Sequence, residues 1–351
     1  MKVALLNDKL DAGGAEKVLV NMANLLHKNG VEVTVILFLQ PAVLDHLIHP
    51  AIKIGYLQRK GRFDLKAMFR LKKMLHGVDI VHVHSRYNLR YYMVARIMAS
   101  IHRPKLVFHE HVPVLSVDFF TKFMLQRTAA YVAVLQSMCS WAKETMKVAA
   151  SRVFYLPNTI TPPAINIEQQ PAGYKIIMVG NCWHFKNQLF AVDLINALPQ
   201  DYTLEIYGAV NDVSYHEQIL KKIESYDLQH RVKMVQGVSN IYEVLGNYNF
   251  AIHTSPSETG PLVLLEYMYA GLPFLSYKTG DVVDNIAAQL PEVVLDTFNI
   301  ENWKNAIVNI MMNDAVRQQI RTKMKAIIHN QYSEANYYTQ LSGIYQSVLN
   351  C

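Results

Sequence analysis

The sequence contains few cysteines, little charge and no long apolar run. Its three cysteines, Cys139, Cys182 and Cys351, are too few and too widely spaced for a disulfide framework or a zinc ligand set. They indicate a reducing, cytoplasmic compartment. No run reaches the roughly 18 apolar residues that span a bilayer, so we expect no integral membrane segment. Residues 1–6 predict a core strand rather than a secretion signal.

Apolar side chains, by contrast, are abundant. Hydrophobic residues make up 51% of the 351 residues and charged residues 18%, which excludes a disordered chain. This supply is enough for two hydrophobic cores, the default for a chain of this length. The net charge of +6 favours anionic partners such as phosphates or anionic lipid. Nucleic acid is not favoured, because the basic residues follow no recognisable nucleic-acid-binding module.

Strand-like and helix-like segments alternate along the chain. The alternation begins with a strand over residues 2–7, is interrupted by a proline-rich linker over residues 157–171, and restarts at residue 174. Such alternation predicts α/β architecture with parallel, doubly wound sheets. We therefore predict two Rossmann-like domains with a ligand cleft between their strand ends. Their expected bounds are residues 1–162 and 163–328, followed by a closing helix in 329–351.

The stretch 59–73 has a basic, amphipathic pattern. Apolar residues are interleaved with seven cations against the single acid Asp64. One interpretation is a surface helix packed on its own domain. The other is a patch that touches an anionic membrane or acceptor. The seven cations are Arg59, Lys60, Arg62, Lys66, Arg70, Lys72 and Lys73.

Two glutamates near a predicted helix start form the most informative pair. Glu258 precedes Pro261, which suits a first helical turn, and Glu266 follows among leucines. Since an unpaired buried carboxylate is unfavourable, Glu266 suits a ribose diol. The backbone amides around Gly260 and Leu262 suit a diphosphate. The alternative is a capping residue with a surface glutamate.

Two further features suit phosphate. Gly13 and Gly14 follow the first strand and open a helix, so their backbone can approach a phosphate. A simple tight turn is the alternative, and the dehydrogenase fingerprint G-x-G-x-x-G is absent. Lys186 lies in the loop after the first strand of the second half and suits a diphosphate as a point charge. A solvated lysine is the alternative there.

Four histidines occur as two pairs at a spacing of two, His82 with His84 and His109 with His111. This spacing could suggest a metal, but the nearby carboxylates form no familiar ligand pattern. We therefore expect no metal site. His111 lies at the predicted carboxyl end of a strand, where a side chain can face the cleft.

The order and spacing of these motifs resemble glycosyltransferase family 4, the retaining group 1 glycosyltransferases. The resemblance runs over nearly the whole chain. It lies in the first glycine loop, a D-h-h-H-x-H strand (79–84), the strand ending in the active-site histidine (105–111), a donor loop (180–187), the E-x7-E pair and a closing helix (331–345). It implies the GT-B fold, with two facing Rossmann-like domains, an interdomain cleft, and a C-terminal helix that crosses back to the first domain.

The activity implied by the resemblance is sugar transfer with retention of the anomeric configuration. The donor would be a nucleoside diphosphate sugar, preferably UDP-linked, used without a metal ion or another cofactor. The acceptor would be a glycan or a lipid-linked glycan of a bacterial surface polysaccharide, such as lipopolysaccharide or capsule. The enzyme would be cytoplasmic, with peripheral contact at the inner face of an anionic membrane. A non-catalytic nucleotide-sugar-binding subunit and a GT-B sugar-nucleotide epimerase stay open as alternatives.

The resemblance also assigns residues. It makes His111, Glu258 and Lys186 catalytic. It assigns donor binding to Gly13, Gly14, Gly180, Asn181, Lys186, Gly260, Pro261, Leu262 and Glu266. Three positions depart from the family pattern: Asn181 stands where arginine is frequent, Thr259-Gly260-Pro261 replaces Gly-Phe-Gly, and His109 replaces serine or threonine. Without that arginine, Lys186 would carry more of the diphosphate charge alone.

Overall fold

The computed structural model describes residues 1–11, 13–40, 43–61, 63–112, 117–162, 173–238 and 240–350. The chain divides into two compact units. The first comprises Met1–Thr161 together with Ser333–Cys351, and the second comprises Pro162–Tyr332. Arg62 of the basic stretch, Cys351 and most of the predicted linker lie outside the described residues.

Seven parallel strands form the sheet of the first unit, in the order β3-β2-β1-β4-β5-β6-β7. The residues of the five inner strands are mostly buried, as expected for a parallel sheet covered on both faces, whereas the two edge strands are only partly buried. The strands are β1 (Lys2–Asn7), β2 (Glu32–Leu37), β3 (Lys53–Tyr56), β4 (Ile80–His84), β5 (Lys105–Glu110), β6 (Ala130–Ala133) and β7 (Val153–Tyr155).

Helices cover both faces of this sheet. On one face, α1 (Gly14–Lys28) and the C-terminal α13 (Glu334–Leu349) pack on the side chains of alternate strand positions. On the other face, the remaining positions pack against four helices, namely α2 (Leu65–Met74), α3 (Arg86–Met98), α4 (Phe119–Leu125) and α5 (Gln136–Glu144). The end of the chain therefore belongs to the core of the first unit.

Six parallel strands form the sheet of the second unit, in the order β10-β9-β8-β11-β12-β13. The strands are β8 (Tyr174–Val179), β9 (Tyr202–Tyr207), β10 (Val232–Val235), β11 (Phe250–His253), β12 (Phe274–Tyr277) and β13 (Val294–Leu295). The helices are α6 (Gln188–Ala197), α7 (Val213–Ser225), α8 (Tyr242–Leu245), α9 (Leu262–Tyr269), α10 (Gly280–Ala287), α11 (Ile300–Met312) and α12 (Asp314–Gln331).

Each sheet has one point at which the strand order reverses. It lies between β1 and β4 in the first unit and between β8 and β11 in the second. The loops beyond the carboxyl ends of strands at such a point diverge to opposite faces and leave a crevice for a ligand. Lys186 follows β8 and Glu258 follows β11, so the second unit brings two predicted site residues to its reversal point.

Capping side chains set two helix boundaries that hydrophobic pattern alone misplaces. The pattern predicts one helix over 300–328, but Asn313 ends α11 and caps α12 by accepting a hydrogen bond from the Val316 amide at 3.2 Å. The basic stretch becomes helical only at Leu65, because Asp64 accepts from the Ala67 amide at 3.1 Å. The short strands β3 and β13 were not predicted either.

The first cation of the basic stretch is a core residue. Arg59 is only 8% exposed and pairs with Asp8 at 3.1 Å. Its guanidinium also lies over the rings of Tyr87 and Tyr91, at 4.7 and 4.9 Å. Arg59 therefore contributes no free surface charge. Among the described residues, no helix has both the length and the apolar character needed to cross a membrane.

Two loops of the second unit meet where only glycine fits. Gly208 follows β9, and a Cβ atom placed on it would lie 2.2 Å from the carbonyl oxygen of Gly180 and 2.9 Å from Cα of Asn181. These are backbone atoms, so no side-chain rotation relieves the overlap. The sequence gives no hint of this requirement, since Gly208 belongs to no motif.

We expect Gly208→Ala to lower the free energy of unfolding by about 1–3 kcal/mol, the usual cost of overpacking. Gly343→Ala is the control. Gly343 is exposed inside α13 with nothing within 4 Å of its added Cβ, so alanine there should stabilise by about 0.5–1 kcal/mol. Denaturant titrations measure both. Equal effects of the two substitutions would contradict the close approach at Gly208.

Candidate functional site

A partly buried ion pair lies at the reversal point of the second unit. The ammonium of Lys186 pairs with Oε1 of Glu258, and the two side chains are 22% and 15% exposed. Nε2 of His253, at the end of β11, lies 3.5 Å from the same oxygen. Nδ1 of His253 is 3.0 Å from the hydroxyl of Ser276 on the neighbouring β12. A cation, an anion and an imidazole therefore meet at one carboxylate oxygen.

The surroundings keep Glu258 ionised. Burial alone would raise the pKa of its carboxyl, but the interactions with His253 and Lys186 outweigh burial and lower this pKa to about 2. Burial lowers the pKa of His253, which favours a neutral imidazole there. Lys186 and Glu258 consequently form a neutral pair that avoids most of the cost of an isolated buried charge.

The loop that carries Lys186 is fixed by a hydrogen bond from the residue that follows β11. The hydroxyl of Thr254, directly after β11, donates to the carbonyl of Lys186 at 2.8 Å. Asn187 adopts a left-handed conformation with φ of 56°, in which asparagine is tolerated better than most residues. These features fix the backbone on both sides of the Lys186 side chain.

Asn181, where the family often has arginine, has a structural role in this chain. Its Oδ1 accepts a hydrogen bond from the Ala209 amide at 3.1 Å, and its carbonyl accepts from the Gln188 side chain at 3.0 Å. Asn181 thus joins the loop after β8 to the loop after β9 and to α6. Gly180 lies directly below Lys186, with 3.5 Å between a would-be Cβ and Cδ of the lysine.

The N-terminus of α9 carries no side-chain cap. Pro261 stands at the N-cap with φ of −65°, and its side chain accepts no hydrogen bond from the first turn, which begins at Leu262. Helix N-termini of this kind attract anions through their amides and the helix dipole. The backbone just before it is fixed, because the Glu258 amide donates to the Thr279 hydroxyl at 2.8 Å.

Glu266 is buried within α9. It is 6% exposed, and its charge, after burial, contributes to raising the pKa of Tyr242, so the two side chains are neighbours. The next residue, Tyr267, accepts a hydrogen bond on its hydroxyl from the Val179 amide at 2.9 Å. That bond connects α9 to the last residue of β8. Glu258 and Glu266 therefore lie on a segment that is anchored at both ends.

In the first unit, His111 lies just beyond β5 and is 7% exposed. Its Nε2 is 2.9 Å from Nδ1 of His84, and its ring lies 4.2 Å from that of His109. Burial lowers the pKa of His111 to about 4 and that of His82 to about 3. Burial likewise holds the pKa values of His84 and His109 well below the usual range. All four rings are consequently neutral near pH 7.

The glycine pair of the first unit is only partly open. Gly13 caps α1, and a Cβ there would meet Oε2 of Glu16 at 2.2 Å. Gly14 has nothing within 4 Å of a would-be Cβ. The Glu16 carboxylate therefore occupies the space beside Gly13, which leaves the open side of this turn at Gly14.

The arginine that follows β4 is engaged within the first unit. Arg86 pairs with buried Glu110 at 2.6 Å and lies 4.8 Å over the Trp141 ring. Burial raises the pKa of Glu110 to about 7 against the opposing effect of Arg86. Arg86 therefore already has an anionic partner within the first unit. The preceding residue, Ser85, adopts φ of 70°, a strained value for serine.

The second unit thus brings together Lys186, Glu258, Gly180 and the start of α9. Sequence reasoning missed His253, Thr254, Tyr267, Thr279 and Gly280, which support this group. A Cβ on Gly280, which has φ of 71°, would lie 2.8 Å from the Glu258 carbonyl. A glycine three residues after a strand and next to a threonine is the signal that could have identified this contact.

Two family profiles match the two halves of the chain. The profile described as Glycosyltransferase Family 4 matches residues 12–162, and the profile described as Glycosyl transferases group 1 matches residues 166–327. Together they cover nearly the whole chain. A protein of Haemophilus influenzae named as an uncharacterized glycosyltransferase is 24% identical over 338 residues, which are 90% of this chain and 91% of that protein.

Solved structures share the fold. HepE from Anabaena, crystallised with UDP and glucose, superimposes with a TM-score of 0.81 at 18% identity, over 99% of this chain and all of HepE. The lipopolysaccharide outer core galactosyltransferase WaaB superimposes with a TM-score of 0.73 at 16% identity, over 99% of both chains. These similarities show the two-domain GT-B fold.

The lowered pKa of Glu258 predicts a pH-dependent contribution to stability. A carboxyl whose pKa falls from its ordinary 4.5 to about 2 on folding stabilises the protein fully above pH 4.5, and this contribution is lost as pH falls through 2. Glu258→Gln should therefore destabilise at pH 7 by roughly 3 kcal/mol, and the difference from wild type should shrink by about 1.4 kcal/mol at pH 3.5.

Denaturant unfolding at both pH values measures this difference, with the exposed Glu217→Gln on α7 as the control. The control should differ little from wild type at either pH. A difference for Glu258→Gln that stays constant between pH 7 and pH 3.5 would show that the carboxylate is not stabilised by its neighbours.

Proposed function

We infer the activity of this chain from its family, since it belongs to the group 1 glycosyltransferases and has the GT-B fold. We propose that it transfers a sugar, with retention, from a UDP-linked donor to a glycan or lipid-linked acceptor of a bacterial surface polysaccharide. UDP is proposed because HepE, which shares the fold, was crystallised with UDP and glucose. The surface-polysaccharide role is proposed because WaaB, which shares it too, acts on the lipopolysaccharide outer core.

One observation carries the proposal. At the reversal point of the second unit, the Lys186–Glu258 pair lies on the segment that leads into the uncapped start of α9, with Glu266 buried further along that helix. This arrangement provides a cation and helix amides for a diphosphate, and carboxylates for sugar and ribose hydroxyls. No metal is needed to balance the diphosphate if the lysine and the helix start share its charge.

Donor binding would change the partner of Lys186. Without a donor, the lysine neutralises Glu258. A diphosphate brings more negative charge than one carboxylate and would attract the ammonium away from it. Glu258 would then accept hydrogen bonds from hydroxyls of the donor sugar. The two residues can therefore act in sequence, with the ammonium of Lys186 paired to an anion in both states.

In the proposed reaction, the bond between the anomeric carbon and the diphosphate oxygen breaks, and a bond from the acceptor oxygen to that carbon forms on the same face. The acceptor proton passes to the departing phosphate oxygen. Lys186 and the amides of α9 stabilise the charge that develops on the diphosphate. The amide of Gly14 is proposed as a further phosphate contact, and Glu266 is proposed to bind the ribose.

His111 is proposed to orient the donor sugar. Its Nε2 is engaged by His84, so Nδ1 is the nitrogen left for the sugar. This role needs a fixed ring rather than a proton donor. Transfer to an added acceptor distinguishes this enzyme from a GT-B epimerase, which changes the donor alone, and from a binding subunit, which changes neither.

We propose that the first unit contacts an anionic membrane through α2, close to a lipid-linked acceptor. An exposed face of α2 carries residues that recur at spacings of three or four, namely Leu65, Lys66, Phe69, Lys72 and Lys73. Leu65 is 48% and Phe69 56% exposed, while the opposite face of the helix is in the core. A face that is both apolar and basic suits the interface of an anionic bilayer. Phe63, directly before the helix, is 78% exposed.

The nucleotide prediction uses thermal unfolding with UDP, GDP, ADP or CMP. UDP at about a hundred times its dissociation constant should stabilise by about 2.7 kcal/mol, equally with Mg²⁺ and with EDTA. Glu266→Ala should abolish this shift, whereas the exposed Glu217→Ala should retain it. If no nucleotide shifts the midpoint, or if Glu266→Ala responds as wild type does, the donor site is placed wrongly.

A second measurement separates chemistry from binding. His111→Ala should retain the UDP shift but lose sugar transfer, and the anomeric configuration of the wild-type product, determined by NMR, should match that of the donor. An inverted product would exclude retention. Conversion of the donor without an acceptor would favour the epimerase.

The membrane prediction uses sedimentation with vesicles of neutral or anionic lipid. Lys66→Gln with Lys73→Gln should weaken binding to anionic vesicles roughly 30-fold, since each surface cation is worth about 1 kcal/mol. Phe69→Ser should weaken it as well. Lys221→Gln with Lys325→Gln, at exposed positions of α7 and α12, is the charge-matched control and should bind as wild type does. Equal binding to both vesicle types would contradict the proposal.

A further inference from the structure

Three fully enclosed histidines of the first unit lie against one another. His82 and His84 on β4 and His109 on β5 point to the face of the sheet that α13 covers, and at most 2% of any of them is exposed. The ring centroids of His82 and His84 are 4.9 Å apart, and that of His109 lies 5.3 and 5.4 Å from them. The register places His109 directly opposite His84.

Only two of the six ring nitrogens of this imidazole cluster (His82, His84 and His109) have a hydrogen-bond partner among the described residues. Nδ1 of His82 is 2.7 Å from the hydroxyl of Tyr345 on α13, and Nδ1 of His84 is 2.9 Å from Nε2 of His111. Within the described ranges, no protein atom bonds Nε2 of His82, Nε2 of His84 or either nitrogen of His109. Buried polar atoms are rarely left without a partner, so these four nitrogens point to a bound group.

We propose that His82, His84 and His109 together bind one transition-metal ion of the zinc class. One nitrogen from each residue lies within 4.8 Å of the other two. Three atoms so spaced always have a point that lies within about 2.8 Å of each of them, so movements below about 1 Å reach the 2.0–2.1 Å of a zinc–imidazole bond. Neutral imidazoles are the form that binds zinc, cobalt, nickel and copper.

The pattern of engaged nitrogens supports the proposal. A histidine that binds a metal through one nitrogen usually donates the N–H of the other to a neighbouring group, which orients the ring. His82 and His84 both have Nε2 free and Nδ1 engaged, by Tyr345 and by His111 respectively. The two rings on β4 thus leave the same nitrogen without a hydrogen-bond partner among the described residues.

The ion would have two consequences for the first unit. It would connect the sheet to α13 through His82 and Tyr345, and so hold the end of the chain in place. It would also fix the proton of His84 on Nδ1, so that this nitrogen donates to Nε2 of His111 and leaves the proton of His111 on Nδ1. The site is separate from the donor diphosphate, and its existence does not depend on the proposed transfer reaction.

The test uses tag-free, full-length protein that is unfolded in guanidinium with EDTA, desalted, and refolded with Zn²⁺ or Co²⁺. We expect one ion per chain after gel filtration, a visible absorption band for Co²⁺, and a higher unfolding midpoint than in the metal-free protein. His109→Asn should bind no ion. His76→Asn, at an exposed position, should bind as wild type does.

Tyr345→Phe keeps all three ligands and removes only the partner of His82. It should weaken binding roughly 10- to 100-fold, the usual effect of removing an orienting group. This variant also decides the matter if His109→Asn does not refold. Wild-type protein that holds no ion after refolding with Zn²⁺ or Co²⁺, or a Tyr345→Phe affinity equal to that of wild type, overturns the proposal.

Discussion

The parallel direction of all strands within each sheet is the constraint on which the candidate sites depend. Because every strand of a sheet ends at the same edge, loops that are distant in sequence converge there. In the second unit this edge gathers the lysine loop after β8, the glutamate loop after β11 and the threonine–glycine turn after β12. In the first unit it places His111 beside the end of β4. The chemistry is therefore a consequence of strand direction and strand order.

Charge balance limits which charged side chains can be enclosed at such an edge of a sheet. Lys186 and Glu258 are each mostly enclosed, and either would be unfavourable alone. Their pairing allows both to persist in the absence of a ligand, with neutral His253 beside them. A diphosphate can replace the carboxylate as the partner of the lysine because it carries more negative charge than one carboxylate and attracts the ammonium more strongly. Charge balance applies in the first unit as well, where Arg86 pairs with buried Glu110.

The sequence predicts the architecture well and the contacts poorly. Alternating strands and helices predicted the two Rossmann-like units, and two of the residues predicted from motif spacing, Lys186 and Glu258, come together in the structure. The role of Asn181 was not predictable, because its partner, the Ala209 amide, belongs to a different loop 28 residues away. Gly208 was missed for the same reason, since its requirement arises from the backbone of Gly180. Arg59 looked like a surface cation because its partners, Asp8 and three aromatic rings, are close only after folding.

The three buried imidazoles of the first unit are not explained by the burial of apolar surface alone. The face of the first sheet under α13 is lined by valine, leucine and isoleucine, yet β4 and β5 place three imidazoles among them. Leucine at these positions would fill the space at no cost in hydrogen bonds. Since imidazoles without partners weaken a core, their presence requires a compensating interaction that apolar residues cannot supply. A ligand that needs nitrogen donors is such an interaction, and the free Nε2 atoms of His82 and His84 are the atoms it would use.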